Sequence, residues 1–313
     1  MIRTVTVILL FLLSAKTAIS QCCASSGNPI GGTVNLGSLD KKLLRTVSYY
    51  RFSYSDDYYS GSKKYSGNLA SVEKGVSSYL GLLLGYGLSD NVTIEMETAY
   101  VIGKTNFYRL NDEKLTGYGF SDAVISVRPT IYRSPDNQFR ISGTLGSNIP
   151  LSRKLKQVNG VTLPIDLQPS TGSFGIVAQT NILKENSFRM ISFLLINRFE
   201  KYFENRQYYI YGNSFSTSVF FSKFFPFESQ KIDGSTLILQ LKNQIRGKNV
   251  REDGQIDGSG NCSFYFIPQI NLAISDNWHF SILVDIPVYQ YFNGIQLGNK
   301  LASSLIILKD FTF

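Results

Sequence analysis

Three groups of side chains in this 313-residue sequence have types that could do chemistry. The first is thiol: Cys22 and Cys23 are adjacent, and Cys262 stands alone. Thiolates are soft ligands suited to Cu(I) or Zn, so the vicinal pair is a weak metal candidate. A vicinal disulfide, a bridge to Cys262 and plain thiols are the other readings, since three cysteines do not make a disulfide framework. The second is imidazole: His279 is the only histidine. A hydrolytic site needs a histidine beside a nucleophile or an activated water. His279 directly follows Trp278 after a short turn, and no carboxylate pair stands out, so it reads as a polar residue of an interface or interior. No residue is assigned as catalytic. The third group is a set of polar side chains alternating with apolar neighbours: Glu95, Glu97, Asp122, Arg128, Arg140, Gln240, Lys242, Arg246 and Asp285. Such residues on one face of a sheet either pair across an interior and fill it, or line a passage and select what crosses. The glycine-rich stretch Gly27–Gly32 lacks the Lys-Ser/Thr ending of a phosphate loop, and no cofactor is implied.

The elements that must position the third group are strands. In residues 79–103, Leu80, Leu82, Leu84, Tyr86 and Leu88 share one face, and Gly81, Gly85 and Gly87 lie on the other with Leu83. Ser89-Asp90-Asn91 makes a tight turn. Val92, Ile94, Met96, Tyr100 and Ile102 then resume the apolar face, with Thr93, Glu95 and Glu97 opposite. Period-2 alternation on both sides of a short turn is a β-hairpin. Its arms are longer than the usual five or six residues of a soluble strand. They match the roughly 9–11 residues of a strand that crosses a membrane in a barrel.

The unit recurs along the chain. Strand one, about 44–54, sets Tyr50, Phe52 and Tyr54 against Arg45, Tyr49 and Arg51. Further strands are expected near 121–132, 139–149, 173–183, 188–199, 209–221, 236–246, 263–274 and 279–289, and a last one ends at Phe313. The count is twelve, with ten as the rival number. Turns at Ser89, Ser134, Lys184 and Ser275 are short, whereas most of the connections between them are long and polar, among them 55–75, 104–117, 150–172 and 247–261. Asn293-Gly294 closes a further loop. Outer-membrane barrels sort their connections in this way, with short periplasmic turns and long extracellular loops. The expected fold is therefore an all-β, antiparallel transmembrane barrel of about twelve strands with periplasmic termini.

The N-terminus reads as a secretory signal over residues 1–20: Arg3, the apolar run Val7–Leu13 and a small-residue site at Ala18-Ile19-Ser20, with cleavage near Ser20/Gln21. Residues 21–42 form an irregular segment and a candidate plug, and 43–313 form the barrel. The formal charge of +8 falls to +6 once Arg3 and Lys16 leave with the signal. No basic run with interleaved aromatics suggests nucleic acid. The 19 Tyr and 22 Phe against one Trp suit strands and interfacial girdles. On the last strand Leu301, Leu305, Ile307, Phe311 and Phe313 share a face, interrupted by Lys309. A terminal aromatic behind alternating apolar residues resembles the signal read by the outer-membrane assembly machinery, so Phe311 and Phe313 are its candidate residues. The expected partners are outer-membrane lipid, that machinery and an unidentified small solute, in the outer membrane of a diderm bacterium.

Three motifs taken in order resemble the transporter-like barrels of the MetA-pathway phenol-degradation family. They are Leu84–Glu95 (LGYGLSDNVTIE), Gly119–Tyr132 (GFSDAVISVRPTIY, followed by ISGTLGSNIPLS) and Ile286–Leu297 (IPVYQYFNGIQL). The chain departs from the family pattern at Ser121 and at Arg128-Pro129. The resemblance implies an outer-membrane barrel that passes small, often hydrophobic compounds, and it transfers no site residues. The functional expectation is a channel for passive or facilitated passage of a small solute. The alternatives are a sealed surface-interaction barrel and an outer-membrane hydrolase built around His279.

Overall fold

A computed structural model describes residues 39–67, 72–109, 113–158, 160–227, 233–252 and 254–313. The expected signal segment, Cys22 and Cys23, and all of the expected plug before Leu39 lie outside the described residues. Twelve antiparallel strands form the wall: β1 (Leu43–Ser55), β2 (Val72–Ser89), β3 (Val92–Tyr108), β4 (Ala123–Arg133), β5 (Phe139–Ile149), β6 (Gly175–Asn186), β7 (Ile191–Tyr202), β8 (Ser214–Pro226), β9 (Gly234–Arg246), β10 (Asn261–Ser275), β11 (Trp278–Gly298) and β12 (Leu301–Thr312). Each strand pairs with its neighbours in the chain, and β12 returns to β1 from Leu43↔Thr312 to Tyr54↔Leu301. That last ladder closes the sheet and removes its edges, which a bilayer requires because lipid cannot satisfy free backbone groups.

Alternation decides what faces the bilayer. Leu80, Ile94, Ile125, Leu145, Leu241, Ile270, Ile282 and Leu305 stay exposed on the outer surface. A soluble monomer rarely shows a contiguous apolar patch beyond a few hundred Å². Aromatics border this band on both sides. At the end carrying the short turns stand Tyr86, Tyr132, Phe225, Trp278 and Phe311, and toward the other end Tyr100, Phe120, Phe174, Phe215, Phe264 and Tyr289. Lys309, which interrupts the apolar face of β12, lies at the turn end. Its ammonium sits 4.7 Å from the Trp278 ring centre and 5.4 Å from that of Phe311. A lysine at a girdle keeps its charge in the interface and stacks its cation on the rings.

The wall is taller than the sequence suggests on one side. Residues 57–61 extend β1, and 295–298 pair with them in the register that Leu301–Thr312 holds on β1. Asn293-Gly294, with Gly294 at φ +62°, is therefore the tip at which the chain turns from β11 into the β12 ladder. Lys114–Phe120 likewise continues β4 along β3 past an irregularity at Ser121-Asp122, where Gly119 has φ +136°. Two expected boundaries are corrected. The turn placed at Lys184 lies at 187–190, because the alternation runs on through Glu185 to Asn186. The strand placed at 209–221 begins at Ser214. Tyr209–Ile210 pairs instead with Val250–Arg251 in a small loop sheet, and Gly212 lies so close to the Gly247 carbonyl that no side chain fits between them.

Candidate functional site: the barrel lumen

Many of the inward-facing charges of the twelve strands meet in pairs. Arg51 on β1 holds Asp285 on β11 through two bonds, NH2 to Oδ2 at 2.6 Å and NH1 to Oδ1 at 3.2 Å. Arg198 on β7 donates to Glu200 at 2.6 Å and reaches across the lumen to Glu97 on β3 at 3.3 Å. Arg128 on β4 pairs with Glu95 on β3 at 2.5 Å. Nearer the turn end, Arg45 grips both oxygens of Asp310 at 2.8 and 2.6 Å. The guanidinium fork suits this use, since it meets a carboxylate with two parallel bonds. Arg246 donates through Nε (3.2 Å) and NH2 (2.8 Å) to the side-chain carbonyl of Gln244, in the amide orientation that satisfies both groups.

Apart from Arg45 and Asp310, these groups line two adjoining cavities that share Glu97, Arg198, Glu200, Lys242 and Arg246. The one toward the loop end has about 1440 Å³ of unfilled space continuous with solvent, and the deeper one about 940 Å³. Asp122, Asp285, Glu97, Lys242 and Arg246 line the first, and Glu95, Arg128 and Gln240 join Glu97, Lys242 and Arg246 around the second. Arg140 lines neither. It lies beside Arg133 in the strand register at the turn end. The other side chains of the site escaped the sequence candidates. Arg51 is the partner of Asp285, and Arg198 that of Glu97 and Glu200. Tyr49, Tyr79, Tyr202, Tyr211 and Tyr265 supply aromatic wall in the outer cavity. The same alternation marked them: Arg198 and Glu200 oppose Phe193, Leu195 and Phe199 on β7, and Arg51 opposes Phe52.

Asp122 has a different job from its neighbours. Its carboxylate accepts from Ser170 Oγ (2.5 Å), Thr171 N–H (3.1 Å), Thr171 Oγ1 (2.5 Å) and Asn148 Nδ2 (3.1 Å). It thereby pins the long connection between β5 and β6 against the loop-end mouth. Leu163 and Leu167 of that connection are buried, and Asp166 accepts from Asn106 of β3 at 2.9 Å. A side chain at Gly117 would collide with the Leu167 carbonyl at 1.8 Å, so glycine is what lets the loop seat there. Ile165, Gln168, Pro169, Ser170 and Thr171 then form part of the outer cavity's wall.

The opposite mouth is crossed by the chain itself. Lys42 has φ +66°, and residues 39–42 double back from β1 toward the lumen. The Leu39 N–H donates to Thr93 Oγ1 on the inner face of β3 at 2.8 Å, and Leu39 is buried. The Asp40 carbonyl lies where a side chain at Gly87 would go, 2.0 Å from that position. Inward apolar side chains narrow this half further, among them Val47, Leu283, Ile306 and Leu308 on one side and Leu194, Phe220 and Ile238 on another.

The remaining candidates lie apart from the cavities. His279 sits at the turn end, and its Nδ1 has no hydrogen-bond partner among the described residues. Among the described residues no serine or carboxylate is in hydrogen-bonding contact with that atom. Cys262 lies near the loop end on the outward face of β10, with its thiol 3.8 Å from Asn243 Oδ1. Alternation turns this side chain away from the interior, and its candidate partners Cys22 and Cys23 lie outside the described residues. Among the described residues no cluster of His, Cys, Asp or Glu could hold a metal ion.

No protein-family model matches the chain, and neither does any curated protein. Solved structures do. An outer membrane channel from Pseudomonas putida F1 superposes with a TM-score of 0.67 at 14% identity, over 87% of this chain and 97% of that one. The fold is that of an outer-membrane β-barrel. The translocator domain of the autotransporter NalP from Neisseria meningitidis gives a TM-score of 0.46 at 9% identity, over 87% and 90% of the two chains. The KdgM porin gives 0.42 at 9% identity, over 85% and 99%. At such identities the likeness concerns the barrel and leaves its solute open.

Proposed function

We propose that this chain is an outer-membrane channel through which a small solute diffuses, entering at the loop end and passing between the paired charges of the lumen. The observation that supports this reading most is the pair of adjoining cavities. A barrel built only as a scaffold gains little from two open chambers walled by buried ion pairs, because replacing such pairs with well-packed apolar side chains is often neutral or stabilising. The turn end faces the periplasm in this reading, as short turns and termini do in such barrels. Residues 39–42, together with the chain before them, act as the plug. Phe311 and Phe313, at the end of the closing strand, are offered to the assembly machinery.

The three motifs shared with the MetA-pathway phenol-degradation barrels support placing the chain with them. They fall on the β2–β3 turn, on β4 with its irregularity at Ser121-Asp122, and on the β11–β12 tip. One observation favours a sealed barrel instead: Leu39 and the inward apolar side chains narrow the turn-end half of the lumen. Liposome swelling separates the two. Vesicles carrying the folded chain should swell in small neutral sugars faster than empty vesicles, and swelling no faster than the lipid control would favour the sealed form.

A further inference from the structure

Where the two cavities meet, one cation is in direct contact with no carboxylate among the described residues. Lys242, in the middle of β9, points into both cavities. Among the described residues its ammonium makes no hydrogen bond and no ion pair, whereas the lumen carboxylates nearby are taken. Asp285 is held by Arg51, Glu97 and Glu200 by Arg198, and Glu95 by Arg128. Asp122 spends its oxygens on Ser170, Thr171 and Asn148. A lone ammonium in a confined lumen is costly unless an anion or well-placed water meets it. Its surroundings say more. Across the ladder Lys242 faces Tyr265 on β10 and Ser218 on β8. The outer cavity above it is walled by Tyr49, Tyr79, Tyr202 and Tyr211, with Tyr49 and Tyr79 edge to face at 6.4 Å.

We infer that the junction at Lys242 is a binding subsite for the carboxylate of an organic monoanion whose flat apolar body lies among the tyrosines. The ammonium takes the charge, the Ser218 hydroxyl can donate to a carboxylate oxygen, and the rings take the body by stacking and edge contacts. This rests on the channel reading, because the subsite lies on the path that reading describes. It deepens that reading by naming a solute class.

Calorimetric titration of the purified, folded, full-length chain in detergent tests the subsite without needing any current. Benzoate, acetate and benzyl alcohol are the probes, so that charge and ring are varied separately. Benzoate is expected to bind at least tenfold more tightly than either acetate or benzyl alcohol. K242M should weaken benzoate at least tenfold and leave benzyl alcohol unchanged, and K242R should restore most of the affinity. Heat-modifiable migration of each variant shows that the barrel has folded. Equal binding of benzoate and benzyl alcohol, or benzoate binding unaffected by K242M, overturns the inference. Benzoate binding by a chain that conducts nothing would leave the subsite standing and overturn the channel reading. Conduction without Lys242-dependent benzoate binding would do the reverse.

Discussion

Arg51 and Asp285 grip each other across an intervening strand. Arg51 is on β1 and Asp285 on β11. Between them β12 contributes Ser304, which is opposite Arg51 in the register and accepts from the same guanidinium at 3.3 Å. The pair thus ties together the seam where the first and last strands of the barrel close.

Removing one partner should therefore loosen closure. Asp285→Asn leaves the Arg51 guanidinium in the wall without its carboxylate. The expected cost is about 2–3 kcal/mol, below the range for a fully buried pair because both side chains keep some exposure to the cavity. The double variant Arg51→Met/Asp285→Leu should recover most of it. Urea titration of heat-modifiable folding measures both, and an Asp285→Asn barrel as stable as the parent would dismiss the pair as a closure device.

Asp122→Ala should free the β5–β6 connection while sparing the wall. Each hydrogen bond to a charged group contributes about 1.5–3 kcal/mol, and Asp122 accepts from Ser170, Thr171 and Asn148. Trypsin is expected to cut at Lys154 or Lys156 at least tenfold faster in the variant, with the denaturation midpoint of the barrel unchanged. Unaltered cleavage would mean that the loop is held by Leu163 and Leu167 alone.

How far the sequence carried the reading depends on the range of the interaction. Alternation is local, so Glu95, Glu97, Arg128, Gln240 and Lys242 could be assigned to an inner face from their neighbours alone. The same signal marks Arg198 and Glu200, which alternate with Phe193, Leu195 and Phe199 on β7. The docking of Ser170 and Thr171 on Asp122 spans nearly fifty residues and leaves no periodic trace. The tall β1–β12 ladder was hidden in the same way. Asn293-Gly294 read correctly as a turn, but the residues after it gave no sign that they would lengthen the closing strand.

Gly87→Val tests the turn-end mouth from the wall side. A side chain there displaces the Asp40 carbonyl, which the structure puts 2.0 Å from the new Cβ position. The expected outcome is that residues 39–42 leave the mouth and conductance rises at least twofold, with folding unchanged because valine suits a strand. Conductance equal to the parent's would remove residues 39–42 as an obstruction.

Single-channel recording in planar bilayers bears most directly on whether the lumen is a passage. The purified, folded chain and a variant lacking Gln21–Gly37 are compared in the same salt. Discrete, stable conductance steps that grow in the deletion variant are expected from a channel plugged by its own N-terminal segment. Silence from both proteins, each shown to be folded by heat-modifiable migration, would contradict the channel and leave a sealed barrel acting through its long loops.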